Sequence, residues 1–177
     1  SRNINSGEKV LATIESLEEA CLEMIEGQYL DMTYETRNDI TIDQYIEMVS
    51  KKTGALMGCS FYLGAILGSD NDEVVSRFKR CGRSLGLAFQ IRDDVLGVWG
   101  KEEETGKPIA ADIRRKKKCL PVVYALQNSI GHDRQVLHQI YEKGILSDEE
   151  VEEVLEILVK LDARNYCNSI ANLFTVR

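Results

Sequence analysis

Two adjacent carboxylates, Asp93 and Asp94, stand inside the run Phe89-Gln90-Ile91-Arg92-Asp93-Asp94-Val95-Leu96-Gly97, whose apolar residues have the pattern of a buried helix. Moving an ionised carboxylate out of water is costly unless a cation or donors compensate it. A hard divalent cation, which takes oxygen ligands, meets that need. So does a salt bridge or a helix N-cap, and the dipeptide alone leaves these alternatives open. In a helix, Gly82, Gly86, Gln90, Asp93 and Gly97 share one stripe. Glycine costs a helix interior ~1 kcal/mol relative to alanine. A stripe so bare of bulk predicts close helix packing or room for a ligand.

Other residues could handle anions. Lys52 and Thr53 interrupt an apolar face formed by Ile42, Tyr45, Val49, Leu56, Leu63 and Leu67. An ammonium there either snorkels to water or meets an anion. In Thr105-Gly106-Lys107-Pro108, Gly106 lets backbone approach a ligand and Lys107 offers a point charge for phosphate; such tripeptides are also common in surface turns. Arg114-Arg115-Lys116-Lys117-Lys118 is a run of cations in a chain of net charge −7. It can be a solvated charge run, a nucleic-acid or nuclear-import patch, or a flap that closes on a diphosphate. The acidic balance disfavours broad nucleic-acid binding. His132 and His138 have no partners at ligand or triad spacing and receive no catalytic role.

The elements that must position these residues are helical by period. A helix is expected from about Gly7 to Glu35, with Leu17, Cys21 and Met24 leading into Gln28, Asp31 and Glu35 on one stripe. That change from apolar to polar suits either a cavity rim or a helix end running out to solvent. Thr41 with Gln44, and Ser147 with Glu150, fit capping boxes. Gly68 to Asp72 is a turn by composition, and the long helix with the paired carboxylates follows it. Further helices are expected from about Pro121 to Gln127, up to a C-terminus at Lys143-Gly144, and from Ser147 with Val151, Val154, Leu155 and Leu158 inward. A turn is expected from Asn128 to Asp133. No alternating strand pattern appears, so the expected class is all-α.

With 177 residues and 44% hydrophobic content, the chain suits one domain over 1–177. Five cysteines, odd in number and without CxxC spacing, read as reduced thiols in a cytoplasmic protein. No run of ~18 apolar residues predicts a membrane span, and no signal peptide is expected. The chain opens at Ser1 without methionine and reads as a fragment, a processed product or an incomplete chain.

Five ordered stretches together are more specific than any one of them: Gly27-Gln28-Tyr29-Leu30-Asp31, Lys52-Thr53-Gly54, Phe89 to Asp94, Thr105 to Pro108, and Asp112 through Lys117 to Pro121. In this order they resemble the trans-polyprenyl diphosphate synthases, the head-to-tail prenyltransferases that join isopentenyl diphosphate to an allylic diphosphate. The resemblance covers nearly the whole chain but only the C-terminal part of the family's pattern. It implies an isoprenoid-synthase type of helical bundle, incomplete on its N-terminal side. It further implies Mg2+ on Asp93, with Asp94 supporting it or ligating through water. Lys52, Lys107 and Lys117 would hold the allylic diphosphate, and Thr53 and Gln90 would position it. A homodimer, or the complementary N-terminal half, is the implied partner.

Three departures accompany the resemblance. Gly97 stands where the family commonly has a third aspartate, Cys119 stands where threonine is usual, and the family's first aspartate-rich motif has no counterpart in this chain. Two rivals follow: a non-catalytic partner of a heteromeric synthase, and a class I terpene cyclase, against which the lysine set speaks.

Overall fold

The computed structural model describes residues 6–106 and 108–175. Among these the secondary structure is entirely helical, as expected.

Helix α1 (Ser6–Tyr34) turns Ser16, Ala20, Gly27 and Tyr34 inward. The stripe expected from the sequence is therefore corrected by about one residue: Leu17 is 47% exposed, and Gln28 and Glu35 lie outward. The cause is a backbone crossing. A Cβ at Gly27 would stand 2.6 Å from the Cα of Lys52, so the small-residue face, not the bulkier one, must turn inward.

Helix α2 (Ile42–Val49) opens on the expected capping box. Thr41 accepts from the Gln44 N–H, and the Gln44 side chain accepts from the Thr41 N–H. It runs through a π-helical turn (Ser50–Gly54) into α3 (Ala55–Gly68). The wide turn breaks the uniform period expected across this rod, and Leu67 ends 78% exposed. Such π-turns frequently sit at functional positions, and this one carries Lys52 and Thr53.

Helix α4 (Asp72–Trp99) starts at Asn71, whose side chain accepts from the N–H groups of Glu73 and Val74. Short helices α5 (Glu102–Thr105) and α6 (Ala111–Arg114) follow. Then come α7 (Leu120–Asn128), with Pro121 in its first turn, α8 (Gly131–Glu142), α9 (Asp148–Lys160) and α10 (Ala163–Thr175). The α7–α8 turn is shorter than expected, only Ser129 and Ile130. The Ser147–Glu150 capping box is formed.

Helix α4 is the hub. It packs against α2, the π-turn, α3, α6, α7 and α10. One apolar cluster joins the ends of α1 and α2 to α4, α7 and α10; another joins α7, α8 and α9; Trp99 touches both. Ile91, Val98, Leu120 and Leu158 are fully buried, each worth about 1.5–3 kcal/mol by burial. Part of the bare stripe is now explained by close packing. A Cβ at Gly82 would lie 2.6 Å from the Met57 carbonyl oxygen, and one at Gly86 would lie 2.9 Å from the Cα of Gly54. All five cysteines are unpaired. No helix among the described residues is long and apolar enough to cross a membrane.

Candidate functional site

Asp94 is 1% exposed and both of its oxygens are engaged. Oδ2 accepts the Tyr45 hydroxyl at 2.5 Å and the Leu120 N–H at 2.9 Å. Oδ1 accepts the Lys117 Nζ at 2.9 Å and the Gln90 amide at 3.2 Å. These partners come from four separate places: α2, α4, the loop before α7, and the first residue of α7. A buried carboxylate needs such compensation. The bond to Leu120 also places negative charge at the α7 N-terminus, where the helix dipole favours it. Cys119 supplies no side-chain cap there, and α7 is capped from α4 by Asp94.

The network continues outward. Gln90 accepts the Thr53 hydroxyl at 3.1 Å, which ties the π-turn to Asp94 through one amide. Lys52, in the same turn, is ion-paired with Asp31 of α1, a partly buried contact. Gly27 and Asp31 thus act together on Lys52, since the glycine lets α1 approach its backbone and the aspartate one turn on meets its ammonium. Asp31, Lys52, Gln90, Asp94, Lys117 and Lys118 line a common small cavity.

Lys117 sits between two carboxylates, Asp94 at 2.9 Å and Asp112 at 3.3 Å. Burial works to lower its pKa, but the two aspartates outweigh it and hold the value above the ordinary lysine range. Local backbone delivers it there. Lys116 adopts φ 53°, a left-handed conformation uncommon outside glycine. The Lys117 N–H then returns to the Asp112 carbonyl at 2.9 Å. Lys118 is 4% exposed, and its Nζ has no hydrogen-bond partner; it lies 4.5 Å over the Tyr141 ring. Burial first, and then Lys116, lowers its pKa to about 8.

Asp93 contrasts with its neighbour. It is half-buried, and it makes no hydrogen bond or ion pair with the described residues. Mg2+ commonly binds through one or two carboxylates plus phosphate oxygens and waters, so an unengaged oxygen donor of this kind fits it. Asp94, with both oxygens taken, fits the supporting place. No three His, Cys, Asp or Glu side chains among the described residues converge as a metal cage.

The structure therefore brings Thr53, Gln90, Asp94 and Lys117 into one network and Lys52 onto the same cavity, with Asp93 open on α4. Lys107 lies outside the described residues. Four members of the network and its cavity, Asp31, Tyr45, Asp112 and Lys118, were not singled out as site residues from sequence. Tyr45 gave no signal, because a tyrosine on an apolar stripe reads as core. Asp112 was visible only as part of a longer matching stretch, Lys118 as one member of the cation run, and Asp31 at the polar end of the α1 stripe.

Two faces of the molecule are apolar yet uncovered. On α1, Leu11, Leu22, Ile25 and Tyr29 are 58–67% exposed; on α4, Phe78, Leu85, Phe89 and Leu96 are 41–62% exposed. Exposed apolar stripes of this extent mark interaction surfaces.

The sequence profile described as polyprenyl synthetase matches residues 2–158. A short chain isoprenyl diphosphate synthase of Methanothermobacter thermautotrophicus is 39% identical over 153 residues, which are 86% of this chain and 46% of the relative. A geranylgeranyl diphosphate synthase of Saccharolobus solfataricus is 40% identical over 135 residues, 76% of this chain and 41% of that one. Among solved structures, a geranylgeranyl pyrophosphate synthetase from Pyrococcus horikoshii superposes with a TM-score of 0.87 at 37% identity, over 97% of this chain and 52% of its own. The chain spans about half the length of the relatives it matches.

Proposed function

Since the chain belongs to the polyprenyl synthetase family, we propose that it carries the diphosphate-binding side of a trans-prenyltransferase, acting on an allylic diphosphate and isopentenyl diphosphate. The allylic carbon–oxygen bond breaks, the isopentenyl alkene attacks that carbon, and a proton leaves. The products are a longer allylic diphosphate and inorganic diphosphate. The observation that carries this reading is that Thr53 and Lys117, from distant stretches, bond respectively to Gln90 and Asp94 on the helix that bears Asp93, while Lys52 lines the same cavity.

Lys52 and Lys117 would neutralise charge on the departing diphosphate. Both are ion-paired with carboxylates in the free protein, so each is held near the position where phosphate would replace or join its partner. Thr53 and Gln90 would orient the group through their shared hydrogen bond. Lys107 is proposed to neutralise the same charge, on its sequence position alone. Magnesium, bound through Asp93, would supply electrophilic stabilisation of the phosphate oxygens.

The remaining parts of the proposal are a single domain over 1–177, a cytoplasmic setting supported by five unpaired cysteines, and a partner that covers the uncovered faces of α1 and α4, a second copy or the complementary helices. A non-catalytic subunit is the second reading. It is favoured by Asp94, whose two oxygens are both taken by protein donors and which leaves Asp93 as the open carboxylate of the pair.

The test is titration of inorganic diphosphate with Mg2+, alongside turnover of labelled isopentenyl diphosphate with geranyl diphosphate. Binding that is lost in Lys52→Ala and Asp93→Ala supports the diphosphate site. Equal binding in both variants overturns it. Binding without turnover by the chain alone selects a half-site or the partner subunit.

A further inference from the structure

Gly97 stands one helical turn after Asp93 on α4, and a side chain there would rise beside that carboxylate. The room for it is already filled. A Cβ built on Gly97 would lie 2.5 Å from the Cγ of Asp112 and 3.1 Å from its Oδ1. Asp112 is 6% exposed, comes from α6 rather than α4, and its Oδ2 is 3.3 Å from the Lys117 ammonium. Unlike Gly82 and Gly86, which admit backbone and an aromatic ring, Gly97 admits a carboxylate.

We propose that Asp112 is the positioning residue for Lys117 and that Gly97 is its receptor: the glycine leaves room on α4 for an aspartate delivered by the 109–119 loop. The loop then docks only when that carboxylate sits over Gly97. Asp94 holds Lys117 from one side and Asp112 from the other, so the ammonium stays on the α4 surface instead of swinging into water. Docking of the loop and placement of the diphosphate-binding cation become one event. Ala110, with φ 58°, and Lys116, with φ 53°, bracket α6 in left-handed conformations, and such strain persists only where surrounding contacts enforce it. The Asp112–Gly97 seat is one contact that can do so.

The proposal rests on the diphosphate-binding reading of Lys117, and its test separates the two. Four proteins are compared: wild type, Asp112→Ala, Gly97→Asp, and the double variant carrying both. Each is measured for thermal unfolding and for Mg2+-dependent binding of inorganic diphosphate by calorimetry. Asp112→Ala is expected to weaken diphosphate about tenfold or more, as for loss of a hydrogen bond to a charged group. Gly97→Asp is expected to lower both stability and affinity, because two carboxylates compete for one place. In the double variant a carboxylate returns to the same place from α4, and both properties are expected to recover toward wild type. A double variant whose losses are the sum of the single losses overturns the pairing. If wild type binds no diphosphate, the functional reading of Lys117 fails, and non-additive unfolding across the four proteins still decides whether Asp112 seats on Gly97.

Discussion

Tyr45 donates its hydroxyl to Asp94 across 2.5 Å, so α2 is fastened to α4 through a carboxylate that is 1% exposed. Burial, reinforced by Asp94, raises the Tyr45 pKa well above the ordinary phenol value, and the hydroxyl keeps its proton. Tyr45→Phe removes one donor and leaves the acceptor buried. A loss of about 1–3 kcal/mol in denaturant unfolding is expected; no loss would mean that the Leu120 N–H alone satisfies Oδ2.

Asp93 and Asp94 are expected to respond oppositely to substitution. Asp94→Ala leaves Lys117 without its closest partner and removes the α7 cap, with an expected cost of about 3–5 kcal/mol. Asp93→Ala touches no hydrogen bond and should stay within about 0.5 kcal/mol of wild type while losing Mg2+-dependent diphosphate binding. Comparable unfolding midpoints for the two variants would show that the environments of the two carboxylates have been confused.

Glycines on α3 and α4 divide by what surrounds them. Gly86→Ala forces a Cβ to 2.9 Å from the Cα of Gly54; overpacking of that kind costs about 1–3 kcal/mol. It also shifts the π-turn that presents Lys52. Gly64→Ala meets nothing within 4 Å in the same structure and should stabilise α3 by about 0.5–1 kcal/mol. Chemical denaturation of the pair checks both signs at once.

Lys118 is a buried ammonium without a hydrogen-bond partner, and a well-packed apolar replacement is expected to be tolerated or stabilising. Its pKa falls to about 8 in the folded protein, whereas an unfolded lysine titrates near ~10.4. The unfolded chain therefore binds more protons between these values, and this group's penalty is full below about pH 8 and relieved as the pH rises. Lys118→Met should gain about 1–3 kcal/mol at pH 7. That advantage should shrink toward pH 10; an advantage independent of pH would place its origin in packing rather than charge.

The helical class, both capping boxes and the hub helix with its carboxylates were legible in the sequence, because caps and periodicity are local properties of the chain. The candidate site was legible as a set of residue types, and the resemblance supplied their roles. Which aspartate of the pair is buried was not legible. Asp93 and Asp94 are chemically identical, and only a helix rotation of about 100° and the packing of α2 and α7 against α4 tell them apart. The face of α1 was misjudged for a related reason, since the demand for glycine at position 27 comes from a backbone that is distant in sequence. The π-turn carries no simple periodic signal. Tertiary structure alone decided that Gly97 faces Asp112 and that Asp94 caps α7, because each is a contact between elements whose approach is set by the whole bundle.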